Sequence, residues 1–241
     1  MNQFKRSIHK LFHIFGKDII PYTFDNFVSL RREIILSRQK ISLVLDIGAN
    51  KGTYAQEIRA SKFTGRIVSF EPLSSPFNQL KHKTLKDILW SCEKIAIGST
   101  DGETSMNVSG HETSSSLLSI TNTHINAMPS SATIGKEDIQ VARLDSFYSK
   151  YVNSNDRIYM KIDVQGYEKE AIKGATKILE KTHVLEVELS TIPMYESAPA
   201  IIEMFATLEK MGYTLASIVP VFSDATTGHM LQADGIFVRQ S

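Results

Sequence analysis

Ile41, Leu43, Val44, Leu45 and Ile47 form a short, nearly continuous apolar run that stops at Gly48. A run of that length reads as a strand buried on both faces of a parallel sheet. Such a strand commits its neighbours to supply helices for both faces, and the next segments do so. Residues 53–61 read as a helix, and 66–72 as a second strand stopped by Pro72. A helix over about 74–85 follows, with Ser74 or Ser75 as N-cap, and then a third strand over 89–97. Strand and helix in this alternation predict a doubly wound α/β sheet with right-handed crossovers.

Residues 99–140 break the rhythm and are rich in Ser, Thr, Asn and Gly. Short alternating pieces at 104–108 and 115–120 predict a small hairpin within this polar insertion. A segment this long and polar inside a compact domain is functional or mobile. Ile139 to Ala142 reads as an edge strand, and Asp145 as the cap of a short helix after it. The alternation then resumes, with a strand over 158–163, a helix over 167–179 broken at Gly174, and a strand over 184–189. An amphipathic helix over 199–211 ends at Gly212, and strands at 213–219 and 235–238 close the chain as an antiparallel pair. No linker separates independent domains, so the expectation is a helical cap over 1–40 and one catalytic domain over 41–241.

The first forty residues are not a secretory signal, because Lys5, Arg6, His9, Lys10, His13 and Lys17 interrupt every apolar stretch. Phe4, Ile8, Leu11, Phe12 and Phe15 recur at helical spacing and give an amphipathic helix with a basic face. One reading is weak contact with an anionic membrane surface. The other is a helix that caps the domain edge. No apolar run approaches the roughly 18 residues of a membrane span. The single cysteine, Cys92, excludes an internal disulfide and a cysteine-built zinc site. With no export signal, the expected compartment is the cytoplasm. Nucleic-acid binders usually carry a basic excess, and the net charge of +1 argues against one.

The run Asp46-Ile-Gly48-Ala49-Asn50-Lys-Gly52-Thr53-Tyr54 sits at the first strand-to-helix turn. Gly48 and Gly52 are expected where backbone approaches a ligand closely, and the helix N-terminus after them offers free N–H groups to a carboxylate. Glu71, at the end of the second strand, is placed to accept both hydroxyls of a ribose. The nicotinamide fingerprint Gly-x-Gly-x-x-Gly is absent, since Asn50 and Thr53 stand where its second and third glycines would fall. The constellation therefore indicates a nucleoside-bearing cofactor other than a dinucleotide.

Three motifs in order, Val44-Leu-Asp-Ile-Gly-Ala-Asn-Lys-Gly-Thr-Tyr54, Ser69-Phe-Glu-Pro72 and Met160-Lys-Ile-Asp-Val-Gln-Gly-Tyr-Glu168, resemble the FkbM-type methyltransferase family. The resemblance runs from about Val44 to Leu189 and more weakly to the end. It implies a class I, Rossmann-like methyltransferase fold with a seven-stranded mixed sheet whose last strand is antiparallel. It also implies S-adenosylmethionine as donor and methyl transfer to a hydroxyl of a sugar, glycan or similar natural product. The donor-binding residues it implies are Asp46, Gly48, Ala49, Asn50, Gly52, Thr53, Tyr54, Glu71, Pro72, Ala96 and Asp163.

A sugar hydroxyl is a poor nucleophile, so a base must take its proton beside the donor. Asp163 ends the fourth main strand, with Gly166 allowing a tight turn after it. It is a candidate base, donor contact or helix N-cap. Glu168 reads as a first-turn acid favoured by the helix dipole. Glu186 and Glu188 point to one face of the fifth strand. Glu188, nearer the carboxyl end, is a catalytic candidate. Lys161 is a further one, or the salt-bridge partner of one of these glutamates. His111, on the polar insertion, is a candidate base near neutral pH. Asp163 and Glu188 could share a divalent cation, but the sequence offers no cage around them, so a divalent metal is possible but not the favoured reading. The acceptor is expected to be a small molecule or glycan. Protein or nucleic-acid methylation is the alternative enzyme reading, although Asp163-Val-Gln-Gly stands where base-modifying enzymes carry an Asn/Asp-Pro-Pro-aromatic motif. A binding protein without turnover is the alternative of another class, and the intact donor loop disfavours it.

Overall fold

The computed structural model describes Phe12 and residues 14–240. The expected helix through Phe4, Ile8 and Leu11 lies outside these residues.

In chain order the elements are helix α1 (Val28–Arg38), strand β1 (Leu43–Ile47), helix α2 (Thr53–Ala60), strand β2 (Arg66–Phe70), helix α3 (Ser74–Thr84) and strands β3 (Trp90–Glu93), β4 (Ala96–Ile97) and β5 (Gly102–Ser109). There follow helix α4 (Asn122–Ala127), strand β6 (Thr133–Ala142), helix α5 (Tyr148–Tyr151), strand β7 (Ile158–Ile162) and helices α6 (Glu168–Lys173) and α7 (Thr176–Leu179). Strand β8 (Thr182–Ser190), helix α8 (Ile201–Lys210) and strands β9 (Tyr213–Ser223) and β10 (Met230–Arg239) complete the chain.

Seven strands form one sheet in the order β3-β2-β1-β7-β8-β10-β9. The sheet is parallel except for β10, which runs against both β8 and β9. The order reverses beside β1, between β2 and β7. That is the switch point where open α/β sheets leave a crevice at the carboxyl ends of their strands.

Alternation along the strands divides the core between the two faces. Leu43, Leu45, Ile47, Met160, Ile162 and Val187 pack with Ala171, Ile172, Ile178 and Leu208, which belong to α6, α7 and α8. Val44, Tyr159, Val184 and Ile236 pack with Leu36, Ala55, Ile58 and Leu80, from α1, α2 and α3. The second face also carries a polar row in register. Ser69 pairs with Asp46, Asp46 with Lys161, and Lys161 with Glu186, across β2, β1, β7 and β8. All four residues are buried. Buried charge is costly unless paired, so this row has to be satisfied by partners within the fold.

Several local expectations change. The apolar stretch 89–97 is two strands, not one: β3 joins the large sheet and β4 a three-stranded sheet of order β4-β6-β5. The hairpin partner of residues 104–108 is β6, while 115–120 offers only isolated bridges, from Ser116 to Asn107 and from Ile120 to Tyr195. Residues 139–142 belong to β6, the central strand of the small sheet and not an edge. α3 has Leu73 at its N-cap, and Ser74, within the helix, donates its hydroxyl to Glu137 at 2.5 Å. Asp145 caps the distant α7, accepting the N–H groups of Lys177 at 2.9 Å and Ile178 at 3.0 Å. A cap of this kind depends on three-dimensional proximity, which local spacing does not encode.

Candidate active site

At the carboxyl edge of β1, β2 and β7 a cleft is lined by Gly48, Asn50, Phe70, Glu71, Pro72, Leu73, Ala96, Ile97, Met106, Leu117, Asp163 and Gln165, among others. Of the expected donor residues, Gly48, Asn50, Glu71, Pro72, Ala96 and Asp163 meet here. Asp46, Ala49, Gly52, Thr53 and Tyr54 do not line it.

Glu71 is the best-defined acid of the cleft. Its Oε2 accepts the backbone N–H of Asn50 at 2.9 Å, and its Oε1 accepts that of Leu73 at 2.9 Å. A carboxylate offers about four acceptor positions, so each oxygen keeps one for a further donor. Burial pushes its pKa up to about 7, against the opposing pull of the two backbone N–H groups.

The two glycines serve the fold before any ligand. A Cβ on Gly48, whose φ is +81°, would stand 1.8 Å from the carbonyl oxygen of Asp163. At Gly52, φ +79°, it would stand 2.8–2.9 Å from Leu80 and Trp90. Gly48 thus lets the turns after β1 and β7 touch, and Gly52 lets the start of α2 pack on α3 and β3. Gly48 also lines the cleft, as expected for close approach to a ligand, whereas Gly52 does not.

Asp46 turns away from the cleft and accepts the hydroxyl of Ser69 at 2.9 Å, which in turn accepts the indole N–H of Trp90 at 3.0 Å. Burial raises its pKa to about 6 although Lys161 pulls it down. Tyr54 also points inward. Its hydroxyl donates to Glu186 at 2.7 Å, and its ring lies 5.0 Å from the Arg32 guanidinium and 5.1 Å from the Lys161 ammonium. Glu186 accepts the Tyr159 hydroxyl and forms a 2.5 Å ion pair with Arg32 of α1. Burial opposes ionisation of Glu186, yet Arg32 holds its pKa below the usual carboxylate range.

Although Glu186 is its register partner, Lys161 makes no ion pair with Glu186 or Glu188. Its ammonium sits 2.8 Å from Asp163 Oδ2. Burial disfavours that charge, but Asp163, Asp234 and Glu186 raise the lysine pKa, so it remains an ammonium and orients Asp163. Glu188 accepts an N–H from Gln165 and another from Gln232, each at 2.9 Å. It faces Asp234 across the β8–β10 pairing. Burial, with Asp163, Glu168 and Asp234 nearby, pushes its pKa well above the usual carboxylate range. Asp234 is itself raised to about 6, mainly by burial. Glu168 clasps its own turn, accepting the N–H groups of Val164 and Gly166 at 3.1 Å each.

Residues 110–117 cover the cleft. Lys51 pairs with Glu112 at 2.6 Å, and Asn50 donates to the Glu112 carbonyl at 2.8 Å. The Lys51–Glu112 pair is exposed to solvent and therefore a weak tie. The buried contacts further along hold the loop more firmly. Ser116 donates to the Gln165 carbonyl at 2.6 Å, and the Tyr195 hydroxyl lies 3.0 Å from the Ser114 carbonyl. His111 is not among the residues lining the cleft. Its ring Nδ1 lies 3.3 Å from the hydroxyls of Thr113 and Ser114 in its own loop.

Among the described residues, no group of three or more His, Cys, Asp or Glu side chains is placed to hold a metal ion. No helix among them is long and apolar enough to cross a membrane. Polar residues absent from the sequence-derived site include Gln165, Gln232, Asp234, Tyr195 and Arg32. Gln165 was within reach, because it lies inside the Asp163–Glu168 motif. The others come from the ends of the chain or from outside every motif.

A sheet in this order, with an acid at the end of its second strand beside an apolar slot at the switch point, defines the class I S-adenosylmethionine-dependent methyltransferases. The residues present fit that donor: Glu71 has acceptor positions free for hydroxyls, and Leu73, Ala96, Ile97, Met106 and Leu117 offer the apolar surface a nucleobase requires. The Methyltransferase FkbM domain model matches residues 46–215, and the chain belongs to this family.

Among solved structures, the FkbM methyltransferase from Methylobacillus flagellatus KT superposes with a TM-score of 0.50 at 14% identity, over 81% of this chain and 43% of that one. This chain therefore spans less than half the length of that protein. A putative O-methyltransferase from Klebsiella pneumoniae aligns over 100% of this chain and 91% of that one, with 8% identity and a TM-score of 0.48. An rRNA methylase from Streptococcus thermophilus aligns over 92% and 99%, with 10% identity and a TM-score of 0.47. No curated protein matches this chain.

Proposed function

We propose that this methyltransferase transfers its methyl group to a hydroxyl of a sugar, glycan or glycan-like natural product. The observation that carries the reading is the linked set Lys161, Asp163, Gln165, Glu188 and Gln232 at the sheet edge, continuous with the cleft. Carboxyl groups and amides in one array match the alternating donors and acceptors of a polyol, and they supply a proton acceptor for a weakly acidic hydroxyl.

In this reading Glu71 accepts the donor's ribose hydroxyls, and the 48–50 turn with the N-terminus of α2 receives its carboxylate. Pro72, Leu73 and Ala96 flank the base. When bound, the donor supplies an electrophilic methyl group on a sulfonium. The protein aligns the acceptor oxygen with it and keeps water out. Asp163, held by Lys161, and Glu188 are the groups that take the hydroxyl proton. Lys161 acts through Asp163, and His111 is left as part of the covering loop. The near-zero net charge of +1 favours an uncharged acceptor over nucleic acid. We place this reaction in the cytoplasm.

Incubation with isotope-labelled S-adenosylmethionine and the producing cell's glycan extract tests the proposal. Mass analysis is expected to find label on carbohydrate, and Asp163→Ala, still folded, is expected to lose it. Label found only on protein or RNA would overturn the acceptor assignment.

A further inference from the structure

Asp163 and Glu188 stand on neighbouring strands, and one side chain joins them. Gln165 Nε2 donates one N–H to Asp163 Oδ1 at 2.8 Å and one to Glu188 Oε2 at 2.9 Å. An amide nitrogen has two hydrogens, so both are committed. Flipping the amide would aim its carbonyl at two acids, which fixes its orientation.

The opposite end of this residue holds the loop. The Tyr195 hydroxyl donates to Gln165 Oε1 at 2.7 Å and lies 3.0 Å from the Ser114 carbonyl. Ser116 donates to the Gln165 main-chain carbonyl at 2.6 Å. Residues 110–117 line the cleft through Glu112, Thr113, Ser115 and Leu117. Gln165 therefore touches both the acid pair and the two ties of the covering loop, while 9% exposed.

Its backbone is held in an unusual state. Gln165 has φ +56°, in the left-handed region that favours Gly and Asn, and Gly166 follows at +93°. Such a conformation persists only where the surroundings over-determine it, and residues of this kind gather at functional sites. A Cβ on Gly166 would stand 3.0–3.1 Å from Tyr195 and Ala198, so the turn is pressed against the segment that carries the tie.

We infer that Gln165 is a positioning residue that couples closure of loop 110–117 over the cleft to the alignment of Asp163 and Glu188. This rests on the reading of the cleft as the donor site and adds to it. With the loop seated, Ser116 holds the main-chain carbonyl of Gln165, Tyr195 holds its side-chain amide, and the amide holds both carboxyl groups at a set separation. With the loop lifted, the strained backbone of Gln165 loses its Ser116 bond and the Tyr195 hydroxyl loses its Ser114 neighbour, so Gln165 is free to shift and the two acids are no longer held at a set separation. The groups facing Glu188 in this arrangement are Asp163, Glu168, Asp234 and Lys161, with Gln165 and Gln232 as its hydrogen-bond donors.

The test needs no acceptor. Three folded variants are compared with the wild type: Gln165→Met, which keeps length and loses the amide; Tyr195→Phe, which loses one tie; and their combination. Hydrogen exchange follows loop 110–117, and carbon-13 NMR of labelled glutamate follows the Glu188 carboxyl. Each single variant is expected to speed exchange in the loop by at least about tenfold. Gln165→Met is expected to raise the Glu188 titration midpoint by at least about half a pH unit, because it removes a donor to the charged form. Tyr195→Phe is expected to raise it by a smaller amount, and to add nothing in the Gln165→Met background.

A Glu188 midpoint unmoved by Tyr195→Phe would overturn the coupling, as would effects on exchange that multiply in the double variant. Should Gln165→Met not fold, Ser116→Ala takes its place: faster loop exchange with a raised Glu188 midpoint supports the inference, and faster exchange alone overturns it. Failure of the protein to bind S-adenosylmethionine would refute the donor reading and leave these ligand-free results standing.

Discussion

Glu71 accepts the backbone N–H of Asn50 at 2.9 Å, which ties the end of β2 to the turn that follows β1. The carboxylate thereby shapes the loop and keeps acceptor positions for a ligand.

Replacing Glu71 with Ala removes both functions. Hydrogen bonds to a charged group contribute about 1.5–3 kcal/mol. The dissociation constant for S-adenosylmethionine is expected to rise by about ten- to a hundredfold. Isothermal titration calorimetry on the folded variant measures it, and a constant within about twofold of wild type would contradict the role.

Donor affinity is expected to depend on pH near neutrality. Burial raises the Glu71 pKa to about 7, so the acid protonates as pH falls through that value. Two backbone N–H groups and two ribose hydroxyls need four acceptor positions, and protonation removes one. Affinity should therefore weaken from pH 8 to pH 6. A titration series in which Glu71→Gln is flat and wild type is not would attribute the slope to this residue.

Gly48→Ala is expected to be strongly destabilising, by about 3 kcal/mol or more, because its Cβ would meet the Asp163 carbonyl at 1.8 Å on a backbone with φ +81°. Gly102→Ala, with nothing within 4 Å, is the control and should be near neutral. Chemical denaturation compares the two.

Arg32→Ala leaves Glu186 buried without its cation, and a loss of about 3–5 kcal/mol is expected. Arg32→Met with Glu186→Gln should recover most of it, since Gln still accepts from Tyr54 and Tyr159. The sign with pH follows from the lowered Glu186 pKa. The pair's contribution is complete above the ordinary carboxylate value of 4.5 and is lost as pH falls through the folded value. The difference between wild type and the double variant should therefore shrink in acid, as read by urea denaturation at pH 3 and pH 7.

The parallel strands were legible because β1, β2, β7 and β8 are buried on both faces and read as apolar runs. Glu71 and Asp163 were legible for a related reason, since each is an acid placed where such a run ends. What sequence did not convey depends on distant pairing. Arg32 meets Glu186 from a helix that precedes the family domain, and Asp234 meets Glu188 only through the β8–β10 register. Tyr195 reads as one more aromatic until the fold brings its hydroxyl to Gln165. Only the 139–142 end of β6 was legible; its 133–138 part escaped because exposed polar residues there carry little alternation, and its partner lies across the whole insertion.

The most direct measurement is a crystal structure of the protein with S-adenosylhomocysteine. The ribose hydroxyls are expected on the Glu71 carboxylate and the base against Leu73 and Ala96. A nucleoside bound elsewhere, with Glu71 still making only its two backbone contacts, would contradict it.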